Sequence, residues 1–125
     1  MSNDQRLQLR PHIETAAVSK ADERFLHETL RPVLKLQNEL LLEITRHFLQ
    51  KRKVKLSKMS PAQRDQQIQH SIGKDNRLRG LLFGCVLGQL TEEELSFYLA
   101  NEGETNRRIT QLLIQRLQTQ MERLL

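Results

Sequence analysis

The sequence is poor in the residue types that stabilise sheets, disulfide-linked folds and surfaces on which nucleic-acid bases stack. It contains no Trp, one Tyr, four Phe and one Cys among 125 residues. The lone cysteine, Cys85, excludes an intramolecular disulfide, and its apolar neighbours indicate an inert thiol that packs as a small hydrophobe. β-Branched residues are sparse, and no segment alternates apolar with polar residues for long. A β-sheet is therefore not expected.

Long hydrophobic runs are also missing. The longest, residues 81–90, is interrupted by glycines and by Gln89, whereas a helix needs about 20 apolar residues to span a bilayer. The amino terminus lacks the apolar stretch and the small-residue cleavage site of a secretory signal. We therefore expect no membrane insertion and a cytoplasmic location.

The residues that are plentiful, Leu, Gln, Arg and Glu, are good helix formers. With a chain of this length, they predict an all-α, single-domain bundle of four to five helices. We expect a partly ordered amino-terminal arm over residues 1–18, with a short helix near 11–18. A helical domain follows over 19–125, and residues 51–59 form the one long connection within it.

Local signals mark several helix starts. Ser60 with Gln63, and Thr91 with Glu94, have the spacing of capping boxes, in which two side chains and two backbone N–H groups pair reciprocally. Asp75 is placed to cap the helix that follows it. These signals predict helix starts just after residues 60, 75 and 91.

The expected core consists of apolar residues at helical spacing. A helix over about 21–50 is expected either to kink at Pro32 or to stop near Leu30 and restart there. Its stripe is Val33, Leu36, Leu40, Ile44 and Phe48. A short helix after Thr91 is expected to bury Leu95, Tyr98 and Leu99, and a last helix over 105–124 carries Ile109, Leu112, Leu113, Leu117, Met121 and Leu124.

Residues 76–89 are expected to form the central helix of the bundle. Gly80, Gly84 and Gly88, which we call the glycine stripe, are four residues apart and therefore share one face. Each glycine costs about 0.5–1 kcal/mol relative to alanine inside a helix. The stripe therefore predicts a compensating close contact with another helix, in which leucine at position 84 would overpack and destabilise the fold. The 33–49 and 105–124 helices are expected to pack on this central helix.

The net positive charge of the chain comes from one segment. Residues 1–50 carry seven basic and seven acidic groups and residues 59–125 carry eight of each, so the net charge of +5 lies in residues 51–58. The candidate contacts for an anionic partner are Lys51, Arg52, Lys53, Lys55 and Lys58, joined by Arg77 and Arg79 if the fold brings them near. Such a run fits phosphate contacts with nucleic acid, but also a solvated connection or contact with an anionic protein or membrane surface.

Motifs for catalysis or cofactor binding are not found. The four histidines are scattered, and the paired Glu-x-x-His spacing of bundle metal sites is absent. No Gly-x-Ser-x-Gly elbow, phosphate-binding loop or His-Glu-x-x-His motif occurs. The acidic run Glu92–Glu94 is explained by helix capping. We therefore expect no catalytic residue, no metal and no cofactor.

The last helix offers a second candidate surface. Its residues Ile109, Leu113, Leu117 and Met121, like the glycine stripe, are candidates for helix packing or for a dimer contact. The first functional hypothesis is a non-catalytic helical adaptor or regulator that acts through contacts with an unidentified protein partner, as a homodimer. The alternative is a nucleic-acid-binding accessory protein that uses residues 51–58. An enzyme with a polar site between helices is the third hypothesis.

Overall fold

The computed structural model describes residues 3–10 and 21–125. Within them the chain forms the helices α1 (Asn3–Leu9), α2 (Ala21–Phe25), α3 (Arg31–Leu36), α4 (Asn38–Lys51), α5 (Pro61–Lys74), α6 (Asn76–Leu87), α7 (Glu92–Ala100) and α8 (Glu102–Thr119). A π-helical turn, Leu26–Leu30, joins α2 to α3, and 3₁₀ turns lie at Leu56–Lys58 and Met121–Arg123. Neither described range contains a strand, which confirms the all-α prediction. None of these helices is long and apolar enough to cross a membrane.

The amino-terminal region differs in part from the expectation. Residues 3–9 of the expected arm form α1. The helix predicted near residues 11–18 lies outside the described residues.

Three predicted helix starts are confirmed. At α5, the Ser60 hydroxyl accepts from the Gln63 N–H at 3.2 Å, and the Gln63 side chain accepts from the Ser60 N–H at 2.9 Å. Thr91 and Glu94 form the same reciprocal pair at α7, at 3.2 and 2.8 Å. Asp75 caps α6 by accepting a first-turn N–H at 3.2 Å. Each cap satisfies N–H groups that the first turn of a helix leaves free.

The helical segment over residues 21–50 changes geometry twice. In the π-helical turn, the Arg31 N–H bonds to the Leu26 carbonyl five residues back. The backbone stays helical through Leu30 and Arg31, and Pro32 is the second residue of α3, so the chain does not stop and restart at the proline. The change to π-type hydrogen bonding directly before Pro32 is the local irregularity that accompanies a residue without an N–H. The second change is at Gln37, whose φ of −91° and ψ of 7° end α3. The helical hydrogen bonds nevertheless continue on both sides, from the Gln37 N–H to the Val33 carbonyl and from the Leu41 N–H to the Gln37 carbonyl, each at 3.0 Å.

The polar helix α5 lies between two partners. It packs on both α6 and α8, while α4 packs on α6. It enters the core through Ile68 and Ile72, which share one face and are fully buried. α8 therefore packs chiefly on α5, and not on α6 as the sequence had indicated.

The prediction that a helix packs against the glycine stripe is wrong for the described residues. All three glycines are exposed, and a Cβ built on Gly80 or Gly84 would meet no neighbouring atom within 4 Å beyond its own helix. α6 instead buries Leu78, Leu82 and Val86. The two rows are two positions, about 200°, apart around the helix, so one row alone can face the core. Burial of large aliphatic side chains decides which row it is.

Three other residues expected in the core are exposed. Leu40, Leu95 and Leu99 are 46%, 39% and 60% exposed. α4 instead buries Leu41, Leu42, Thr45, Phe48 and Leu49. α7 contacts mainly α8, so of its side chains Tyr98 is the buried one.

The helix α1 is attached to the start of α7 by two arginines. The Arg10 guanidinium donates to both carboxylate oxygens of Glu94 at 2.8 Å and also to the Gln89 carbonyl. Arg6 donates to the Leu90 carbonyl at 3.0 Å. The Arg10 and Glu94 side chains are 5% and 16% exposed, so this ion pair is largely shielded from water.

Candidate functional site

The basic segment begins where α4 ends in a Schellman motif. The Val54 N–H bonds to the Leu49 carbonyl at 2.9 Å, and the Lys53 N–H bonds to the Gln50 carbonyl at 3.0 Å. Lys53 has a φ of 58°, in the left-handed region that this motif usually fills with glycine. A residue with a Cβ costs roughly 1–2 kcal/mol there. The chain thus places a lysine at this position despite a conformational cost.

Apolar residues between the cations attach the segment to the bundle. Leu56 is 3% exposed, and Val54 and Met59 are partly buried against the core. Arg64 on α5 donates from Nε to the Leu56 carbonyl at 2.8 Å. The lysines between these anchors are exposed. The segment is therefore an ordered connection that presents its charges to solvent.

Three cations, from the end of α4 and the start of α6, lie close to the Phe48 ring. The Lys51 ammonium and the Arg52 and Arg77 guanidiniums lie 5.8, 5.6 and 5.9 Å from the ring centroid. Cations at this distance are attracted by the negative face of an aromatic ring. The contact brings Arg77, at the start of α6, beside the end of α4.

Two adjoining cavities of about 560 and 770 Å³ flank the segment. They share the wall residues Val54, Gln67 and His70. The first is also lined by Arg52, Ser71, Lys74, Asp75, Asn76 and Arg77, and the second by Lys53, Lys55, Lys58, Met59, Gln63 and Gln66. We call the two cavities together the basic groove. Its walls consist mainly of cations and neutral polar side chains.

Asp75 is the one carboxylate on the described groove walls, and it is already paired. Its Oδ2 lies 3.0 Å from the Arg52 Nε. The hydrogen bond from Arg52 lowers the pKa of Asp75 below its ordinary value and raises the pKa of Arg52. The wall cations that pair with no described carboxylate are Lys53, Lys55, Lys58, Lys74 and Arg77.

Most of the sequence-predicted contact residues come together here. Those at the groove or around Phe48 are Lys51, Arg52, Lys53, Lys55, Lys58 and Arg77. Arg79 is directed elsewhere, since it donates to the Gly73 carbonyl at 3.1 Å and to the Asn76 side chain at 2.9 Å. Sequence analysis missed His70 and Lys74. Their spacing of four residues along the capped helix α5 was the available signal, because it puts them on one face.

The other groups considered for chemistry are separated or occupied. Residues 3–10 and 21–125 contain no group of three or more His, Cys, Asp or Glu side chains that could hold a metal ion. Burial raises the pKa of the Cys85 thiol, which disfavours the nucleophilic thiolate. Glu92 and Glu93 are exposed, and Glu94 is paired with Arg10.

The residues proposed for helix packing or a dimer contact fall into two sets. Ile109 and Leu113 are 0% exposed and Leu117 is 1% exposed, so they pack within their own chain and are unavailable to a second copy. Met121 is partly buried against the same core. The glycine stripe, in contrast, faces solvent.

The chain matches no protein-family model, no curated protein and no solved structure. The chemistry of the groove is therefore inferred from its own residues. Unpaired cations beside amide side chains can contact the phosphates of an anionic polymer. His70, which lines both cavities, is the one aromatic ring on their described walls, and no Phe, Tyr or Trp side chain lines them as a platform for stacked bases.

Proposed function

We propose that the protein is a non-catalytic nucleic-acid-binding accessory protein that contacts phosphates through the basic groove. The observation that carries the proposal is the set of five cations on the groove walls without a carboxylate partner in the described ranges. Free energy of binding would come from release of the counterions that surround a nucleic acid. No step of this function requires a reaction centre or a cofactor.

The order of the segment favours binding over a purely solvated connection. Leu56 and the Arg64 hydrogen bond fix its path, and Lys53 keeps a backbone conformation that glycine would adopt at lower cost. Strained residues with exposed charged side chains are typical of functional positions. A connection that served solubility alone would have no need of a fixed path.

The expected mode of binding does not depend on sequence. Phosphate contacts position a protein on nucleic acid, whereas sequence is recognised through base edges or stacked bases. The described walls of the groove carry cations, amides and the single imidazole of His70, but no Phe, Tyr or Trp side chain and no carboxylate that is free to read a base edge. We therefore expect similar affinities for duplexes of unrelated sequence, with a Kd of about 1–100 μM at physiological salt.

The test is a titration of fluorescent duplex DNA at several salt concentrations. If all five wall cations contact phosphates, the plot of log K against log salt should have a slope of about −4 to −5. Replacing Lys53, Lys55 and Lys58 together by Gln should make the slope shallower by about 3. A wild-type Kd no tighter than millimolar at low salt would refute the proposal.

A charge-matched control separates the groove from total charge. Arg24, Lys35 and Arg107 are exposed cations that line neither groove cavity, and their replacement by Gln removes the same three charges. We expect this control variant to keep most of the wild-type affinity. Equal losses in the two triple variants would contradict a localised site.

A homodimeric adaptor is the second candidate function, because α6 leaves an unusual face open. The glycine stripe is exposed, and Leu81 beside it is 46% exposed. A bare helical face permits close approach of another backbone. An unidentified protein partner could use the same face.

Sedimentation equilibrium tests this second function. A mass near 14.7 kDa at high micromolar concentration would exclude the homodimer. If a dimer forms, Gly84→Leu should dissociate it without destabilising the monomer, whose free energy of unfolding should rise by about 0.5–1 kcal/mol because space around Gly84 is open and leucine has a higher helix propensity than glycine.

A further inference from the structure

A second cationic site lies at the other end of α4 from the basic groove. Arg31 and Arg116 line a cavity of about 320 Å³ between α3 and α8. The other described lining residues are Leu34, Leu112, Gln115, Thr119 and Gln120, so no carboxylate is among them. α4 has 14 residues, which separates its two ends by about 20 Å.

Both arginines lack a negative partner within the described ranges. The Arg31 Nε is buried and has no hydrogen-bond partner. The Arg116 Nη1 donates to a neutral amide oxygen, that of Asn38, at 3.2 Å. Burial, and then the positive charge of Arg31, lower the pKa of Arg116. The two guanidiniums repel each other, so an anion bound between them would be attracted to both and would offset this repulsion.

The surrounding amides hold this arrangement in place. Asn38 and Gln120 exchange two hydrogen bonds, at 2.9 and 2.7 Å, between their side chains. The Gln120 side chain also donates to the Arg116 carbonyl at 3.1 Å. The helix turn that carries Arg116 is thereby tied to the start of α4. A preorganised site loses less conformational entropy when it binds a ligand.

We propose that the Arg31–Arg116 cavity binds a small organic phosphomonoester as its dianion. Two guanidiniums balance two negative charges, and a phosphate monoester carries between 1.5 and 2 charges near pH 7. The guanidinium fork matches phosphate oxygens in pairs. Leu34 and Leu112 add an apolar wall for the organic group, and the volume is at the lower end of the range for small-molecule sites.

The experiment is isothermal titration calorimetry with phenyl phosphate, and with benzoate as the monoanion of similar size. We expect submillimolar binding of phenyl phosphate and at least tenfold weaker binding of benzoate, since a charge-assisted hydrogen bond corresponds to roughly tenfold or more in affinity. Arg31→Gln should weaken phenyl phosphate by about tenfold or more. Arg107→Gln, an exposed change on the same helix α8, should leave it unchanged.

Stability measurements separate this role from a structural one. Because the Arg31 Nε has no partner and Arg31 repels Arg116, Arg31→Gln should melt no lower than wild type without ligand. If that variant does not fold, Arg116→Lys is the alternative, since it keeps the positive charge at position 116 but lacks the planar guanidinium fork. It should bind phenyl phosphate more weakly than the wild type does.

Three results would overturn the proposal. They are no heat of binding at millimolar phenyl phosphate, equal affinity for benzoate, and unchanged affinity in a folded Arg31→Gln or Arg116→Lys variant. The variant of the basic groove in which Lys53, Lys55 and Lys58 are replaced by Gln should bind phenyl phosphate with the affinity of the wild type. Loss of binding in that variant would assign the ligand to the groove and also refute the Arg31–Arg116 site.

Discussion

The carboxylate of Glu94 joins three parts of the fold, and its removal is the most informative perturbation of stability. It accepts two hydrogen bonds from Arg10, one from the Thr29 hydroxyl at 3.0 Å and one from the Thr91 N–H at 2.8 Å. These bonds connect α1, the π-helical turn and α7. Glu94→Gln keeps the shape and the capping ability of the side chain, as Gln63 does at α5, but removes the charge.

The expected loss follows from the burial of the pair. Breaking a buried ion pair by removing one partner costs roughly 3–5 kcal/mol, because the remaining charge is left uncompensated. Gln at position 94 can still accept one bond from Arg10, which also keeps its bond to the Gln89 carbonyl. We therefore expect a loss of about 3 kcal/mol in the free energy of unfolding, at the lower end of that range. A domain has only about 5–15 kcal/mol in total.

The effect should depend on pH with a definite sign. Burial alone would raise the pKa of Glu94, but the hydrogen bonds from Arg10, Thr91 and Thr29 and the Arg10 charge hold it below the ordinary value of 4.5. A carboxyl group with a depressed pKa in the folded state stabilises fully above its unfolded pKa. That contribution is lost as pH falls through the folded pKa. The difference between wild type and Glu94→Gln should therefore be largest near neutral pH and shrink below 4.5.

Urea unfolding followed by far-UV circular dichroism, near neutral pH and again at acid pH, measures both quantities. Glu93→Gln is the matched control, because Glu93 is exposed in the same first turn of α7. Glu93→Gln should lower the free energy of unfolding by only about 0.3–1 kcal/mol, because it removes only the interaction of this carboxylate with the helix dipole. Equal urea midpoints for the two variants, or a Glu94→Gln loss that does not change with pH, would refute the buried-pair reasoning.

Three further predictions concern Gly84, Lys53 and Thr91. Gly84→Ala should raise the free energy of unfolding by about 0.5–1 kcal/mol in urea titrations, because this exposed helical glycine has open space around it. Lys53→Gly should stabilise by about 1 kcal/mol through relief of the left-handed conformation, and should weaken duplex binding in the salt titration. A Lys53→Gly variant that binds like wild type would contradict the role of that side chain. Thr91→Ala should cost about 0.5–2 kcal/mol in thermal melts through loss of the α7 cap.

The features that the sequence predicted correctly are local ones. A capping box requires residues three positions apart, so Ser60 and Thr91 identify their helix starts without knowledge of the tertiary fold. The buried row of α8, with Ile109 and Leu113, follows from spacing within a single uninterrupted helix. The basic segment was likewise visible because its charges are contiguous in sequence.

The features that the sequence did not predict depend on contacts between distant segments. Arg10 and Glu94 are 84 positions apart, and no pattern around either residue indicates the pair. The apolar spacing also places Leu40 in the core, whereas α4 buries the adjacent Leu41 and Leu42, and the spacing alone does not distinguish these faces. In α6, two rows of regularly spaced residues compete for the core. The glycine spacing predicts one row, but burial of Leu78, Leu82 and Val86 contributes more free energy and decides for the other.

The allocation of ion pairs explains why the lysines of the basic groove remain unpaired. Within residues 3–10 and 21–125, no lysine takes part in an ion pair, and arginine supplies the cation of each pair apart from the contact between His27 and Glu23. Surface pairs such as Arg107 with Glu104 add little stability. In these pairs, however, arginines bind carboxylates that lie away from the groove, so those carboxylates do not pair with the groove lysines. Because the Debye length is about 8 Å at physiological salt, the groove keeps a local positive field.

That allocation predicts the effect of adding a carboxylate to the groove. Gln66 is an exposed residue on the groove wall, so Gln66→Glu should weaken duplex binding and make the salt slope shallower by about 1, much as the loss of one lysine would. Gln69→Glu adds the same charge to an exposed position of α5 that does not line either cavity, and should have a smaller effect. Equal effects of the two variants in the DNA titration would mean that net charge, and not the arrangement of the groove, determines affinity.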